Sequence, residues 1–275
     1  MIELPESRNL AHQINETLKG KKIQNVTANK SPHKFAWFTG DPQSYHSLLA
    51  GRNILSATAH GGMVEIQADD IRLIFCDGTN IRYFFLGEKL PEKHQLQVEF
   101  EDFSSLVCSV QMYGALWVLG EGQTEGYNEC ARNKPNPLSD DFNERYFQSL
   151  FTDQDGKLSA KAFLATKQRI PGLGNGVLQD ILFNARIHPK RKMNTLSDNE
   201  LTSIYNAVKN TLFEMTVNGG RDTERELFGC RGGSSTILSA KNVDKPCSVC
   251  GSAIIREAYL GGNIYFCPKC QKLKK

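Results

Sequence analysis

At 275 residues and a formal net charge of +3, the chain is long enough for two domains of ordinary size, each with its own core. No apolar run reaches the roughly 18 residues of a membrane span and no charged-then-apolar leader opens the sequence, which excludes a membrane partner and predicts a soluble, cytoplasmic protein. The charge is unevenly divided: residues 1–130 carry 11 Lys+Arg against 16 Asp+Glu, whereas residues 131–275 carry 22 against 14, so the second half has the balance of a surface that sits on a polyanion.

In chain order, Asn9, Leu10, Ile14 and Leu18 fall at helical spacing, with Gly20 placed to end the helix. Eight short runs rich in β-branched and aromatic residues follow: Lys22–Ala28, Asn53–Thr58, Met63–Gln67, Ile71–Phe75, Asn80–Phe85, Leu96–Phe100, Ser105–Val110 and Ala115–Leu119. Turn signals at Gly61-Gly62, Asp69-Asp70 and Asp77-Gly78 separate them, and the set predicts a β-sandwich. Residues 131–155, with Asn136-Pro137-Leu138 and several acids, read as a linker. Cys76, Cys108, Cys130 and Cys230 are scattered singly and read as buried or incidental thiols.

The pattern then turns helical over Ala160–Thr166, Gly176–Ile187 and Ser197–Val217, the last with a capping box from Ser197 to Glu200. Between the first two lies Pro171-Gly172-Leu173-Gly174-Asn175-Gly176, a tight turn feeding a helix with Asn175 as the expected N-cap. Gly174 and Gly176 let an outside group approach the unpaired N–H groups of the first turn, which predicts an anion pocket. Lys167 and Arg169 before it, and Lys190, Arg191 and Lys192 after it, point to a nucleic-acid phosphate. The same glycines also suit an ordinary turn between helices. Gly219–Ser239, with five glycines and Arg221, Arg225 and Arg231, reads as a long polar loop, either ordering on DNA or serving as a solvated connector. At the C-terminus Cys247-x2-Cys250 and Cys267-x2-Cys270 have the spacing of a tetrahedral four-cysteine site, predicting one structural Zn2+ per chain. Strands Ala253–Tyr259 and Asn263–Phe266, joined at Gly261-Gly262, are expected between the pairs.

The turn-helix stretch resembles the helix–two-turns–helix motif of the formamidopyrimidine-DNA glycosylase and endonuclease VIII family. Met1-Ile2-Glu3-Leu4-Pro5-Glu6 is similar to the family's N-terminal signature, Asn136-Pro137-Leu138-Ser139-Asp140 to its interdomain segment, Ile187-His188-Pro189 to the end of its motif helix, and residues 247–270 to its zinc finger. The resemblance implies an α+β fold of two domains: a β-sandwich with a leading helix over 1–130, then a helical DNA-binding domain over 131–240 ending in a zinc-finger hairpin over 241–275. It implies base-excision repair on double-stranded DNA, damaged or abasic, held by a monomer in the cleft between the domains. The DNA-binding residues are then Asn175, Gly174, Gly176, Lys167, Arg256 and Lys269, and Met112 and Tyr113 occupy the place of the wedge that fills the gap left by a flipped base. The same pair also suits a strand core.

Family members remove a base and cut the strand with the secondary amine of an N-terminal proline, which forms a Schiff base with the sugar. Here position 2 is Ile2, and a bulky second residue predicts that Met1 is retained. The terminal amine is then primary and displaced by about one residue, roughly 3.8 Å. Such a shift matters to a reaction that wants its atoms about 3–3.5 Å apart. The family's β-hairpin lysine is absent from Ala59-His60-Gly61-Gly62-Met63, and its zinc-finger arginine from Gly261-Gly262-Asn263. Met1, Glu3 and Glu6 remain as the catalytic candidates, Glu3 by resemblance as the proton carrier at the sugar. The two acids also suit neutralisation of the terminal amine or the first helix turn. His60 is either a substitute proton carrier or a hairpin residue. Three functions stay open: a DNA glycosylase, with or without AP lyase activity, that does not use a proline amine; a non-catalytic lesion-binding protein; and a nucleic-acid adaptor without lesion preference.

Overall fold

Helix α1 (Leu4–Leu18) starts where Pro5 pre-sets the first turn and the Glu6 carboxylate reaches back to accept the Glu3 N–H at 3.1 Å. It therefore begins five residues before Asn9, and it stops at Gly20, whose φ of +84° suits a residue without a side chain. The computed structural model describes residues 1–76 and 78–274, residue 153 by its backbone alone. Asp77 of the expected Asp77-Gly78 turn and Lys275 of the zinc-finger segment lie outside the described residues.

After α1 come β1 (Ile23–Ala28), β2 (Ala36–Phe38), α2 (Tyr45–Leu49), β3 (Ile54–His60), β4 (Met63–Ala68), β5 (Ile71–Phe75), β6 (Thr79–Phe84), β7 (Leu96–Phe100), β8 (Ser105–Val110) and β9 (Gly114–Leu119). Two sheets form, in the orders β2-β9-β5-β4-β3 and β1-β7-β8-β6. Every pairing is antiparallel except β2 with β9. Alternating side chains from both sheets, such as Val64, Ile66, Phe75, Val98 and Phe100, meet the apolar face of α1 in one core. All eight expected strands are present; β2 and α2 are too short and too irregular in pattern to announce themselves.

The expected linker is not a linker. Helix α3 (Gly126–Arg132) runs into its start and α4 (Glu144–Ser149) lies within it, and Phe142 and Phe147 are buried in a second core with residues of α5 (Ala160–Ala165), α6 (Asn175–Asn184) and α7 (Asp198–Val217). The Phe142 ring stacks on Tyr205 of α7 and the Phe147 ring packs tilted against it, which is burial that a solvated connector would not show. The capping box of α7 forms as expected, Ser197 with Glu200. Strands β10 (Ile255–Tyr259) and β11 (Gly262–Phe266) make the terminal hairpin, turning through Leu260 and Gly261 at φ +50° and +72°.

The two halves interlock through single residues. Ile2 is buried in the first core and Leu4 in the second, so the chain start is stitched between them. In return, the loop after α7 inserts Leu227 into the first core. Its N–H meets Gln13 Oε1 at 3.0 Å and its carbonyl accepts the Tyr83 N–H at 2.9 Å. The segment 219–239 is thus not a solvated connector; it is a strap docked across α1 and β6.

Candidate functional site

The first turn of α6 leaves N–H groups that need partners. They receive them from the chain start: Gly176 N–H donates to Glu3 Oε1 and Val177 N–H to Glu3 Oε2, both at 2.8 Å. The anion pocket expected there for a phosphate is therefore filled by the protein's own carboxylate. The N-cap is Gly174, with Asn175 the first helical residue. Each glycine of the turn is explained by a close neighbour. A Cβ at Gly172 would lie 2.5 Å from the Gly61 carbonyl carbon, one at Gly174 2.5 Å from Glu3 Oε1, and one at Gly176 1.5 Å from an Arg221 nitrogen.

Arg221, missed by sequence reasoning, holds this arrangement together. Its guanidinium is buried 2.8 Å from Glu6 and 3.5 Å from Glu3, donates to the Met1 carbonyl at 3.2 Å, and its backbone N–H also meets Glu6 at 3.0 Å. Burial pushes the Glu3 carboxyl above the ordinary glutamate range, against the pull of Arg221 and the two N–H donors. Burial also acts to raise Glu6, but there Arg221 outweighs it and Glu6 is held below its usual value. Three residues on, Glu224 forms an ion pair with the Met1 α-amine. The only sequence signal for Arg221 and Glu224 was an arginine-bearing loop in a basic half, which names no partner.

The groups converge on a cleft of about 860 Å³ between the sandwich, the helical domain and the hairpin tip. Met1, Glu3, Lys167, Gly174, Asn175 and the Met112-Tyr113 pair line it. Met112 is 68% exposed and Tyr113 donates its hydroxyl to the Met1 sulfur at 3.7 Å, so neither is a buried strand residue. Glu6 faces Arg221 under the strap rather than the cleft, and Arg256 and Lys269 are outside its lining, Arg256 Nε meeting Asn263 Oδ1 at 3.0 Å. Asn175 Nδ2 donates to the Asn263 carbonyl at 3.1 Å and Gln179 Nε2 to Asn175 Oδ1 at 3.1 Å, tying α6 to the hairpin.

Most of the expected phosphate cations are engaged elsewhere. Arg169 meets Asp155 at 2.5 Å, Arg191 meets Glu200 at 3.2 Å, and Lys190 pairs with Glu257. Lys192 donates to the Lys157 carbonyl at 2.9 Å. Among the described residues, Lys167 and Lys161 are the cations lining the cleft. Lys161 was overlooked because its sequence neighbours are those of an ordinary helix start. It donates to the Tyr259 carbonyl at 2.7 Å, and its ammonium lies 3.7 Å from where a Cβ on Gly262 would stand, at the hairpin tip that carries no arginine. Burial lowers its pKa. The hairpin turn that lacks a lysine is closed in the same way: a Cβ at Gly62 would sit 3.2 Å from the Ile2 carbonyl oxygen. His60 lines a smaller recess with Arg132 and Lys134, away from the cleft.

The Sγ atoms of Cys247, Cys250, Cys267 and Cys270 all lie within 4.8 Å of one another, with Cys250–Cys267 at 3.4 Å and Cys247–Cys270 at 3.9 Å. The hairpin they close is docked on the helical domain: Gln271 Nε2 meets the Ile187 carbonyl at 2.9 Å, and the His188 ring lies 4.4 Å from that of Phe266.

The chain is similar to known proteins along its whole length. Residues 134–226 match the family described as formamidopyrimidine-DNA glycosylase H2TH domain. The formamidopyrimidine-DNA glycosylase of Cytobacillus firmus is 27% identical over 281 residues, covering 98% of this chain and 100% of the relative. That of Bacillus subtilis is 26% identical over 286 residues, covering 100% of both. Among solved structures, Lactococcus lactis Fpg in complex with DNA containing an abasic site has a TM-score of 0.83 at 22% identity, over 98% of this chain and 99% of that one. MutM (Fpg) of Thermus thermophilus has a TM-score of 0.80 at 21% identity, over 99% and 100%.

Proposed function

The chain belongs to the formamidopyrimidine-DNA glycosylase family, and from that premise we propose that it binds damaged or abasic double-stranded DNA in the interdomain cleft, as a repair protein whose base-removing chemistry is very weak or takes a route other than a proline amine. The observation that carries this reading is the state of the chain start. Ile2 is a core residue, and the α-amine of Met1 is ion-paired with Glu224. A paired ammonium is a poor nucleophile, because attack on a sugar carbon needs the free base. Glu3, the remaining proton carrier, already accepts an N–H on each oxygen. These two donors and the nearby Arg221 guanidinium pull against protonation of Glu3, which opposes activation of water by it. These same observations favour a non-catalytic lesion-binding protein as the second reading.

Binding needs less than catalysis does. Lys161 and Lys167 supply positive charge for backbone phosphates, Asn175 a polar side chain facing the hairpin, and exposed Met112 with half-buried Tyr113 a wedge that can enter the gap left by an unstacked nucleotide. Zinc fits the four cysteines. Tetrahedral Zn–S bonds of about 2.3 Å put sulfur atoms roughly 3.8 Å apart, close to the spacings observed. With all four positions taken by thiolates, the ion would fix the hairpin against α6 and perform no chemistry of its own. Incubation with duplexes carrying an oxidised base, an abasic site or neither, read for both binding and strand cleavage, tests the proposal. It predicts tighter binding to the abasic duplex with little cleavage; equal affinity for all three duplexes would contradict it.

A further inference from the structure

An edge strand normally turns polar or charged side chains to solvent, because an exposed apolar edge invites unwanted pairing. Strand β2, at the edge of the five-stranded sheet, does the opposite. Within the strand Ala36 and Phe38 pack against the first core, which turns Trp37 to the outside, and the turn that leads into it carries Phe35, exposed, and His33, half-buried. Phe35 is 45% and Trp37 51% exposed. The rings run in sequence: His33 to Phe35 at 6.3 Å, Phe35 to Trp37 at 6.4 Å, and Trp37 to Tyr113 at 6.4 Å. The parallel pairing of β2 with β9, with the Gly114 N–H donating to the Phe35 carbonyl at 2.9 Å, brings the last two rings together. Tyr113 lines the cleft, so the row is continuous with the wedge and leads from it onto the outer edge of the sandwich. Lys34 stands with its ammonium 5.4 Å from the Phe35 ring centre, placing positive charge beside the row.

We propose that His33, Phe35, Trp37 and Tyr113 form a stacking platform for unpaired DNA bases adjoining the wedge, with Lys34 meeting the strand's phosphates. The inference rests on the reading of the cleft as a DNA site and extends it to the kind of DNA held there. Faces of paired bases are covered by their neighbours in the helix, whereas every unpaired base offers a π-face that an exposed aromatic ring can take without regard to sequence. A row of rings beside a cation is the arrangement that binds such strands. The preferred ligand is therefore an abasic duplex whose flank is unpaired, as in a bubble or at a single-strand junction.

The test compares two fluorescent probes in anisotropy titrations: a fully paired duplex with one abasic site, and the same duplex with three unpaired nucleotides beside that site. For the intact chain the unpaired probe should bind more tightly. In the Phe35→Ala/Trp37→Ala variant its affinity should fall at least about tenfold, from stacking on the order of 1–3 kcal/mol per base, while affinity for the paired probe stays within about twofold. Phe35→Tyr/Trp37→Tyr should keep the preference, which separates lost stacking from a damaged fold. The chain has two tryptophans, so in a Trp117→Phe variant the unpaired probe should quench Trp37 emission directly. Unchanged affinity for the unpaired probe in the alanine variant, or equal loss on both probes, would overturn the platform alone. Failure of the intact chain to bind either probe would overturn the DNA reading and the platform with it. A dimer in sedimentation that the alanine variant dissolves would assign the row to a second copy of the chain instead and overturn the proposal.

Discussion

The carboxylate of Glu3 accepts the Val177 N–H at 2.8 Å across 174 residues of sequence. Through that bond the start of the chain closes the start of α6, and through Arg221 the strap closes over both. The glycines Gly174 and Gly176 are where they are so that Glu3 and Arg221 can come close. The network has measurable consequences for stability as well as for chemistry.

Replacing Arg221 leaves Glu3 and Glu6 buried without their counter-charge. Arg221→Met should destabilise the chain by about 3–5 kcal/mol, the usual cost of breaking a buried pair from one side. Denaturant unfolding measures it directly. Adding Glu6→Gln to that variant should recover part of the loss, because one of the orphaned charges is then removed; an Arg221→Met protein as stable as the parent would show that the buried cluster contributes nothing.

Asp180 on α6 gives a pH signature. It accepts the N–H groups of Ile237 and Leu238 at 2.9 and 2.8 Å, and burial is the largest influence on it, pushing its pKa up to about 6. A carboxyl raised in the folded state binds its proton more tightly there than in the unfolded chain. Its contribution is therefore fully present below about pH 4 and lost as pH rises through about 6, amounting to roughly 3 kcal/mol. The stability difference between the parent and Asp180→Asn should shift by that amount between pH 4 and pH 7, read from urea midpoints at each pH. A difference independent of pH would exclude the linkage.

How far the sequence alone could have led to this picture depends on the range of the interaction. The strands, α7 with its capping box and the cysteine hairpin are written in local patterns, and the structure has them close to where those patterns put them. Helices α3 and α4 were not legible, since their burial depends on distant partners: Ala131 of α3 packs with Met63 and Ile74, and Phe147 of α4 meets Tyr205, each more than fifty residues away. The glycine turn announced a close approach but not by what, and an internal carboxylate satisfies two N–H groups as well as a phosphate would. Arg169, Arg191 and Lys190 read as free cations because Asp155, Glu200 and Glu257 lie elsewhere in the sequence. Lys161 went unnoticed for the converse reason: only folding brings it to the hairpin tip.

Salt dependence tests the role of Lys161. Lys161→Met keeps the aliphatic stem and removes the charge, so affinity for an abasic duplex should fall at every salt concentration and the slope of log K against log salt should shrink by about 0.9. Lys269→Met, outside the cleft lining, should leave that slope nearly unchanged. Equal slopes for the parent and Lys161→Met would remove Lys161 from the DNA contact.

The metal assignment predicts one zinc per chain by elemental analysis of protein purified without chelator. Because binding energy at such sites is also folding energy, on the order of 10 kcal/mol in small fingers, Cys267→Ser should lose the zinc, unfold the hairpin and weaken DNA binding together. Full zinc content in Cys267→Ser, or none in the parent, would contradict the assignment.

The central claim is that the Met1 amine, held by Glu224, no longer serves as the nucleophile. Borohydride trapping on an abasic duplex tests it most directly, since a Schiff base between amine and sugar is fixed as a covalent protein–DNA adduct. The account predicts binding of that duplex with no adduct above the background of a chain whose N-terminus has been chemically blocked. An adduct that forms readily with the intact chain and disappears on blocking would show that the amine leaves Glu224 and attacks, and would contradict the account.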